Sequence, residues 1–268
     1  VTEPAVLDLL ALAESVAHAA GRTAREYRSS LGVTVAATKS SPTDVVTEAD
    51  TAVEAQIRDL VRQARPADAV VGEEGADETG TSGLIWVVDP IDGTVNYLYG
   101  MPRYAVSIAV EDSAGAVVAV VHSPATAETW TAARGHGAWL DGQPLAPSAR
   151  SQLGEALIGT GFGYREQRRR RQAEIVATVL PAVRDIRRAG AASLDLCDVA
   201  SGRLDGYYEQ GLQRWDLAAG RLVVTEAGGL VSGLHGRPPG AAMVVAAGPS
   251  LHPALVGMLE QLDADRPS

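Results

Sequence analysis

Two aspartates, Asp89 and Asp92, stand three residues apart at the end of an apolar run that begins at Leu84. Pro90 lies between them and Gly93-Thr94 follows directly, with no Lys or Arg close by in the chain. Paired carboxylates without basic neighbours call for cations. Hard divalent ions such as Mg²⁺ take oxygen ligands and keep water and substrate phosphate in their shell. The small residue and hydroxyl just behind the second aspartate leave backbone N–H groups open to an anion. The expectation is a strand over 84–88 that Pro90 stops, followed by a metal-binding corner beside a phosphate.

Acids recur at the ends of other elements. Glu73 and Glu74 follow the apolar pair Val70-Val71, and Asp216 opens a helical pattern just after Trp215. Acids at strand ends can converge on one crevice, as ligand sites of α/β proteins do. Each also has a plainer reading. Asp216 could only stabilise a helix N-terminus, and Glu74 could be a solvated loop charge. Gly190-Ala191-Ala192 again places small residues where a helix starts. Alone, that triplet fits tight helix packing equally well.

Composition narrows the function classes. A chain of 268 residues buries a substantial core. It is read as two intimately joined halves, 1–147 and 148–268, forming one compact unit. A net charge of -10 argues against a general nucleic-acid or anionic-membrane binder, because counterion release needs basic surface. A phosphate would then be held by metal and amides. The one cysteine, Cys197, excludes an intramolecular disulfide and a cysteine-based zinc site. Its apolar neighbours indicate core packing, and its lack of a partner fits a reducing cytoplasm. Val1 to Ala13 lacks the basic start of a signal peptide, and no apolar stretch approaches the roughly 20 residues of a membrane span. All 23 basic residues are arginine except Lys39, which marks that lysine as a candidate site residue.

These residues need elements to hold them. Apolar positions at helical spacing (Val6, Leu9, Leu10, Ala13, Val16, Ala17, Ala20) predict a long amphipathic helix over 4–29. Thr47-Glu-Ala-Asp50 predicts an N-cap for a helix with its stripe at Val53, Ile57, Leu60 and Val61. Short strands follow at 70–71, 84–88, 104–111, 117–122, 128–133 and 138–140, with Asp141-Gly142 as a hairpin turn. After Pro147 the pattern alternates. Strands are expected at 156–160, 184–188, 205–209, 229–231 and 242–247, and helices at 166–180, 191–202, 215–227 and 252–263, which together read as α/β layers.

Taken together, Gly72-Glu73-Glu74, Trp86-Val-Val-Asp89-Pro-Ile-Asp92-Gly-Thr94-Val-Asn96, and Trp215-Asp216-Leu-Ala-Ala-Gly220 with Glu226-Ala-Gly-Gly229 resemble the signatures of the inositol monophosphatase family. The stretches Lys39 to Asp50 and Gly135 to Gly142 match as well, so the resemblance covers roughly residues 5–262. It implies an αβαβα five-layer sandwich, usually a homodimer. The implied activity is that of a Mg²⁺-dependent, commonly Li⁺-inhibited phosphomonoesterase acting on a small phosphorylated sugar or polyol. By resemblance, Glu73, Asp89 and the Ile91 carbonyl hold a first metal, and Asp89, Asp92 and Asp216 a second. A weaker third ion leans on Glu73 through water. Thr94 and Asp50, with Glu73, position and deprotonate the attacking water. The Gly93 and Thr94 amides hold phosphate oxygens. Gly190, Ala192, Glu209 and Asp216 face the substrate, and Lys39 lies near the metal–phosphate site.

Inositol 1-phosphate is the favoured substrate on this reading. The alternatives are histidinol phosphate, a nucleotide 3′-phosphate, or a non-catalytic role with the transcription machinery. His122, His136 and His235 are read as loop or packing residues. The run Arg168-Arg-Arg-Arg171 is read as a solvated helix face, with a rim that attracts phosphorylated substrate or a partner as the other possibility.

Overall fold

The computed structural model describes residues 3–30, 35–38 and 45–266. Lys39 and Asp44 lie outside the described residues. The chain opens with helix α1 (Glu3–Ser30), a pair of short strands β1 (Val35–Thr38) and β2 (Val45–Thr47), and helix α2 (Glu48–Ala64). Strands β3 (Ala69–Gly72) and β4 (Ile85–Asp92) precede a one-turn helix, α3 (Thr94–Leu98). An antiparallel run follows: β5 (Ala105–Asp112), β6 (Gly115–Ser123), β7 (Glu128–Ala133), β8 (Gly137–Leu140) and β9 (Gln143–Pro144). The remainder alternates β10 (Leu157–Thr160), α4 (Glu166–Val179), β11 (Asp185–Arg187), α5 (Ala192–Ala200), β12 (Gly206–Glu209), α6 (Arg214–Glu226), β13 (Leu230–Ser232), β14 (Val244–Ala247) and α7 (His252–Gln261).

Two sheets carry the architecture. The larger has the order β3-β4-β5-β6-β7-β8-β9, with β3 and β4 parallel and the rest antiparallel. The smaller has the order β11-β10-β12-β14-β13. Alternation along the strands decides the layering. On one face of the larger sheet, Val88, Ile108, Val118 and Val120 pack with Val16 and Ala20 of α1 and Val53 and Ile57 of α2. On its other face, Val87, Ala109, Ala119 and Val121 join α5 and α6 through Leu196, Ala219 and Val223, and reach Tyr207, Val244 and Ala246 of the smaller sheet. The far side of that sheet, with Ile158, Val245 and Ala247, packs on Ile175 and Val179 of α4 and Leu255 and Leu259 of α7. The result is the expected αβαβα sandwich. At its centre α5 and α6 approach closely, because a Cβ at Gly220 would lie 2.7 Å from the Leu196 Cβ.

One expectation fails in an instructive way. β4 does not stop at Pro90 but continues to Asp92. Asp89 pairs with Ser107 and Asp92 with Ala105, so three steps on β4 oppose two on β5. A bulge absorbs the residue that has no N–H to give the ladder. The Ile91 amide turns instead to the Asp89 carboxylate, 3.0 Å away. This is how the strand delivers both aspartates to one end of the sheet. The Asp141-Gly142 turn is as read, with both residues at positive φ (49° and 78°) between β8 and β9. Strands β1 and β2 were not foreseen.

Candidate active site

Asp89, Asp92 and Asp216 each bring a carboxylate oxygen within 4.8 Å of the others. Asp89 is only 1% exposed, and burial together with the charges of Glu73, Asp92 and Asp216 pushes its carboxyl well above the usual range. Asp216 is driven the same way, by burial and by the charges of Asp92 and Glu73. Carboxylates so close and so dry favour protonation unless a cation lies among them. Every donor is a hard oxygen, and the Ile91 carbonyl lines the same cavity. That chemistry fits a divalent ion such as Mg²⁺.

Each acid is fixed by local structure. Asp216 is the third residue of α6 and accepts the Gln213 amide at 2.6 Å, so the plain helix-capping reading also holds. Asp92 accepts the amides of Ala192 (3.2 Å) and Ser193 (2.7 Å) and the Ser193 hydroxyl (2.5 Å), all at the start of α5. Burial raises the Asp92 carboxyl, and these bonds and Arg103 pull it back. Glu73 sits on the loop after β3, and that loop is tied to α2. The buried Glu54 accepts the amides of Glu74 (2.8 Å) and Gly75 (2.7 Å) and pairs with Arg58 at 2.8 Å. A Cβ at Gly72 or Gly75 would fall 2.6–2.7 Å from the Glu54 carboxylate, so a side chain at either position would displace Glu54 from the loop amides.

Asp50 stands behind this wall. It completes a capping box with Thr47, whose amide donates at 2.8 Å, and it accepts the Thr94 hydroxyl at 3.2 Å. The same hydroxyl lies 3.0 Å from the Ile91 carbonyl. Burial pushes the Asp50 carboxyl up to about 6, against the pull of its Thr47 bonds. Gly93, at φ 89°, is the N-cap of α3, and a Cβ there would lie 2.9 Å from the Arg103 carbonyl. The first amides of a helix have no partner inside it.

The cavity in front of these groups measures about 410 Å³. Glu73, Asp89, Ile91, Asp92, Gly93, Thr94, Gly190, Ala192, Glu209 and Asp216 all line it. Glu209 accepts a hydrogen bond from the Tyr207 hydroxyl, and burial raises its carboxyl to about 7 although Tyr207 and Arg188 pull it down.

The sequence model of the inositol monophosphatase family matches residues 6–264. The chain belongs to the inositol monophosphatase family. It is 44% identical to the inositol-1-monophosphatase SuhB of Mycobacterium tuberculosis, over 99% of this chain and 97% of that protein. It is 45% identical to the Nus factor SuhB of Pseudomonas aeruginosa, over 72% of this chain and 73% of that one. Its fold matches the crystal structure of extragenic suppressor protein suhB from Bartonella henselae with a TM-score of 0.88 at 34% identity, covering 95% and 99% of the two chains.

Within this family framework, several residues around the cavity have no role assigned from the sequence. Glu54 and Ser193 hold Glu73's loop and Asp92 from α2 and α5. Asn96 donates to the carbonyls of Arg103 (2.7 Å) and Ala189 (2.8 Å), joining α3 to the turn at Gly190. Only Asn96 lay inside a motif. The arginine run departs from its solvated reading at two positions: Arg168 lines the cavity, and Arg171, partly buried, bonds the Leu262 carbonyl beside its pair with Glu174, whereas Arg169 and Arg170 bond to neighbours on the exposed face. His122 is buried packing on β6, and His136 and His235 lie in turns, as read. Among the described residues no helix is long and apolar enough to cross a membrane.

Proposed function

We propose that this family member is a Mg²⁺-dependent phosphomonoesterase of small sugar or polyol phosphates, with inositol 1-phosphate the favoured substrate. The observation that carries this reading is the convergence of Asp89, Asp92 and Asp216 on the cavity that also receives the start of α3. Glu73, Asp89 and the Ile91 carbonyl would hold one ion; Asp89, Asp92 and Asp216 a second; a weaker third would lean on Glu73. Bound there, Mg²⁺ supplies charge neutralisation at the phosphate and a more acidic water.

The chain's own groups do the rest. The Gly93 and Thr94 amides hold phosphate oxygens. The Thr94 hydroxyl, held by Asp50 and the Ile91 carbonyl, presents its lone pairs to a water hydrogen and so aims that water at phosphorus. Asp50 and Glu73 take up the proton the water loses. The new O–P bond forms as the ester P–O bond breaks, and its electron pair leaves with the alcohol oxygen, which takes a proton from water in the cavity. Gly190, Ala192 and Glu209 border the leaving alcohol. Glu209 accepts hydroxyl hydrogens when ionised and can donate when protonated, a choice that a carboxyl raised to about 7 keeps open near neutral pH.

Release of inorganic phosphate from inositol 1-phosphate, histidinol phosphate and phosphoadenosine phosphate, with and without Mg²⁺, tests this. The expected result is Mg²⁺-dependent release, fastest from inositol 1-phosphate. Release from none of them sinks the phosphatase reading and leaves a binding role of the kind named for the Pseudomonas relative. Tyr99 (77% exposed) and Met101 (51%) protrude together after α3, which supports a homodimer closing over them; sedimentation of Met101→Asp as a monomer is the check.

A further inference from the structure

The cavity is lined by charges of both signs. Its lining joins the acids Glu73, Asp89, Asp92, Glu209 and Asp216 with three arginines, Arg165, Arg168 and Arg188. Arg188 lies near enough to Glu209 to lower its carboxyl, and its guanidinium sits 5.9 Å from the Phe162 ring centre. Arg168 is different. It alone of the four consecutive arginines faces the cavity, and among the described residues no carboxylate is bonded to it, whereas Arg170 pairs with Glu166 and Arg171 with Glu174. Its side chain lies in a slot made by two glycines. A Cβ at Gly163 would fall 2.5 Å from the Arg168 Cδ, and one at Gly211 2.4 Å from its Nη1. Gly211 also has a φ of 102°, a conformation side chains disfavour.

A guanidinium half-buried, confined and uncommitted to any carboxylate is a planar fork suited to phosphate or carboxylate. On a chain of net charge -10, an anionic group approaching the cavity would otherwise be repelled. We infer that Arg168 is a specificity-determining residue that receives a second anionic group on the leaving alcohol. The site then favours phosphate monoesters whose leaving group itself carries a phosphate or carboxylate over the same skeleton without one. This rests on the phosphatase reading above and narrows its substrate class.

The test uses glucose 1-phosphate and glucose 1,6-bisphosphate, which differ only by the phosphate at the far end. Loss of the C1 phosphate is followed as glucose or glucose 6-phosphate. The wild type is expected to prefer the bisphosphate at least tenfold in kcat/KM, mainly through KM, with the preference shrinking as salt rises. Arg168→Gln is expected to cut that preference about tenfold, a loss on the scale of a charge-assisted hydrogen bond. Arg168→Lys should restore part of it. A wild type that hydrolyses inositol 1-phosphate but shows no preference within the pair overturns this inference alone. So does a folded Arg168→Gln with an unchanged ratio. Should that variant not fold, a salt-independent preference in the wild type overturns it too. Hydrolysis of no monoester at all overturns the proposed function and this inference with it.

Discussion

Asp92 and Ser193 are joined twice, by the serine amide at 2.7 Å and its hydroxyl at 2.5 Å, both to the same carboxylate oxygen. The aspartate ends β4 of the larger sheet and the serine opens α5, so one contact sets how the two halves of the cavity meet. Removing the hydroxyl leaves the carboxylate charged but less firmly aimed. Ser193→Ala is therefore expected to raise the Mg²⁺ concentration for half-maximal activity by about 10-fold or more, the usual scale for groups that orient a ligand. It should cost about 1–3 kcal/mol of stability. A Mg²⁺ titration of phosphate release, with urea unfolding beside it, measures both. An unchanged Mg²⁺ requirement would mean the two amides alone hold Asp92.

As a proposed metal ligand, Asp89 carries a stability cost. Fully buried against Glu73, Asp92 and Asp216, its charge is repelled in the metal-free protein. Asp89→Asn keeps the oxygen that accepts the Ile91 amide and removes that charge. Without divalent ions the variant is expected to melt higher than wild type, by about 2–4 °C for each kcal/mol of repulsion relieved. It should lose the Mg²⁺-induced rise in Tm and nearly all phosphate release. Thermal scans with and without Mg²⁺ decide it; a variant that melts lower without Mg²⁺ contradicts the repulsion account.

The parts of this site that were legible in the sequence are those whose chemistry is packed into one stretch of chain. Asp89, Asp92, Gly93 and Thr94 sit within six residues, and their types alone indicate a cation beside an anion. Glu73 and Asp216 are visible as acids at element ends that could share a crevice, but their assignment to the site of Asp89 needs the family resemblance. What stayed hidden depends on contacts between distant segments. Glu54 reaches the 73–75 loop across some twenty residues of chain, and Ser193 reaches Asp92 across a hundred. Arg168 looked like its three neighbours because a helix turn, not composition, separates the one that faces the cavity. Pro90 misled for a physical reason. A bulge spares the strand the N–H that proline lacks, so β4 continues where a regular ladder would stop.

Gly161 and Glu209 are packed too tightly for a methyl group. A Cβ at Gly161 would lie 1.9 Å from the Glu209 Oε2, so Gly161→Ala must push that carboxylate off its bond with Tyr207. The expected result is about a tenfold higher KM for inositol 1-phosphate with a smaller change in kcat, matching Glu209→Ala. Overpacking adds a stability cost of about 1–3 kcal/mol. Steady-state kinetics on both variants makes the comparison. If Gly161→Ala keeps the wild-type KM, Glu209 does not border the leaving alcohol.

His122 gives the fold a dependence on pH that lies apart from the cavity. Its ring packs 4.6 Å from that of His18 on α1, and both rings reach the Thr129 hydroxyl at 3.0 Å. Burial pushes His122 down to about 4; the charges of His18, Arg25 and Arg22 on α1 add to this, and the Glu128 backbone on β7 opposes it. In the unfolded chain a histidine titrates near 6.5. Between about 6.5 and about 4 the unfolded chain therefore binds a proton that the folded protein refuses, and stability contributed by this residue falls as pH drops through that window. Raised carboxyls such as Asp195, which burial lifts to about 7, act in the opposite sense, because the fold holds their protons longer. The residue's own effect is thus read as a difference. His122→Gln can still bond Thr129 and does not titrate. Urea midpoints at pH 7, 6, 5 and 4 should show the wild type losing stability relative to this variant across the window, with no further divergence below about 4. A difference that stays constant from pH 7 to 4 would show that folding does not exclude a proton from His122.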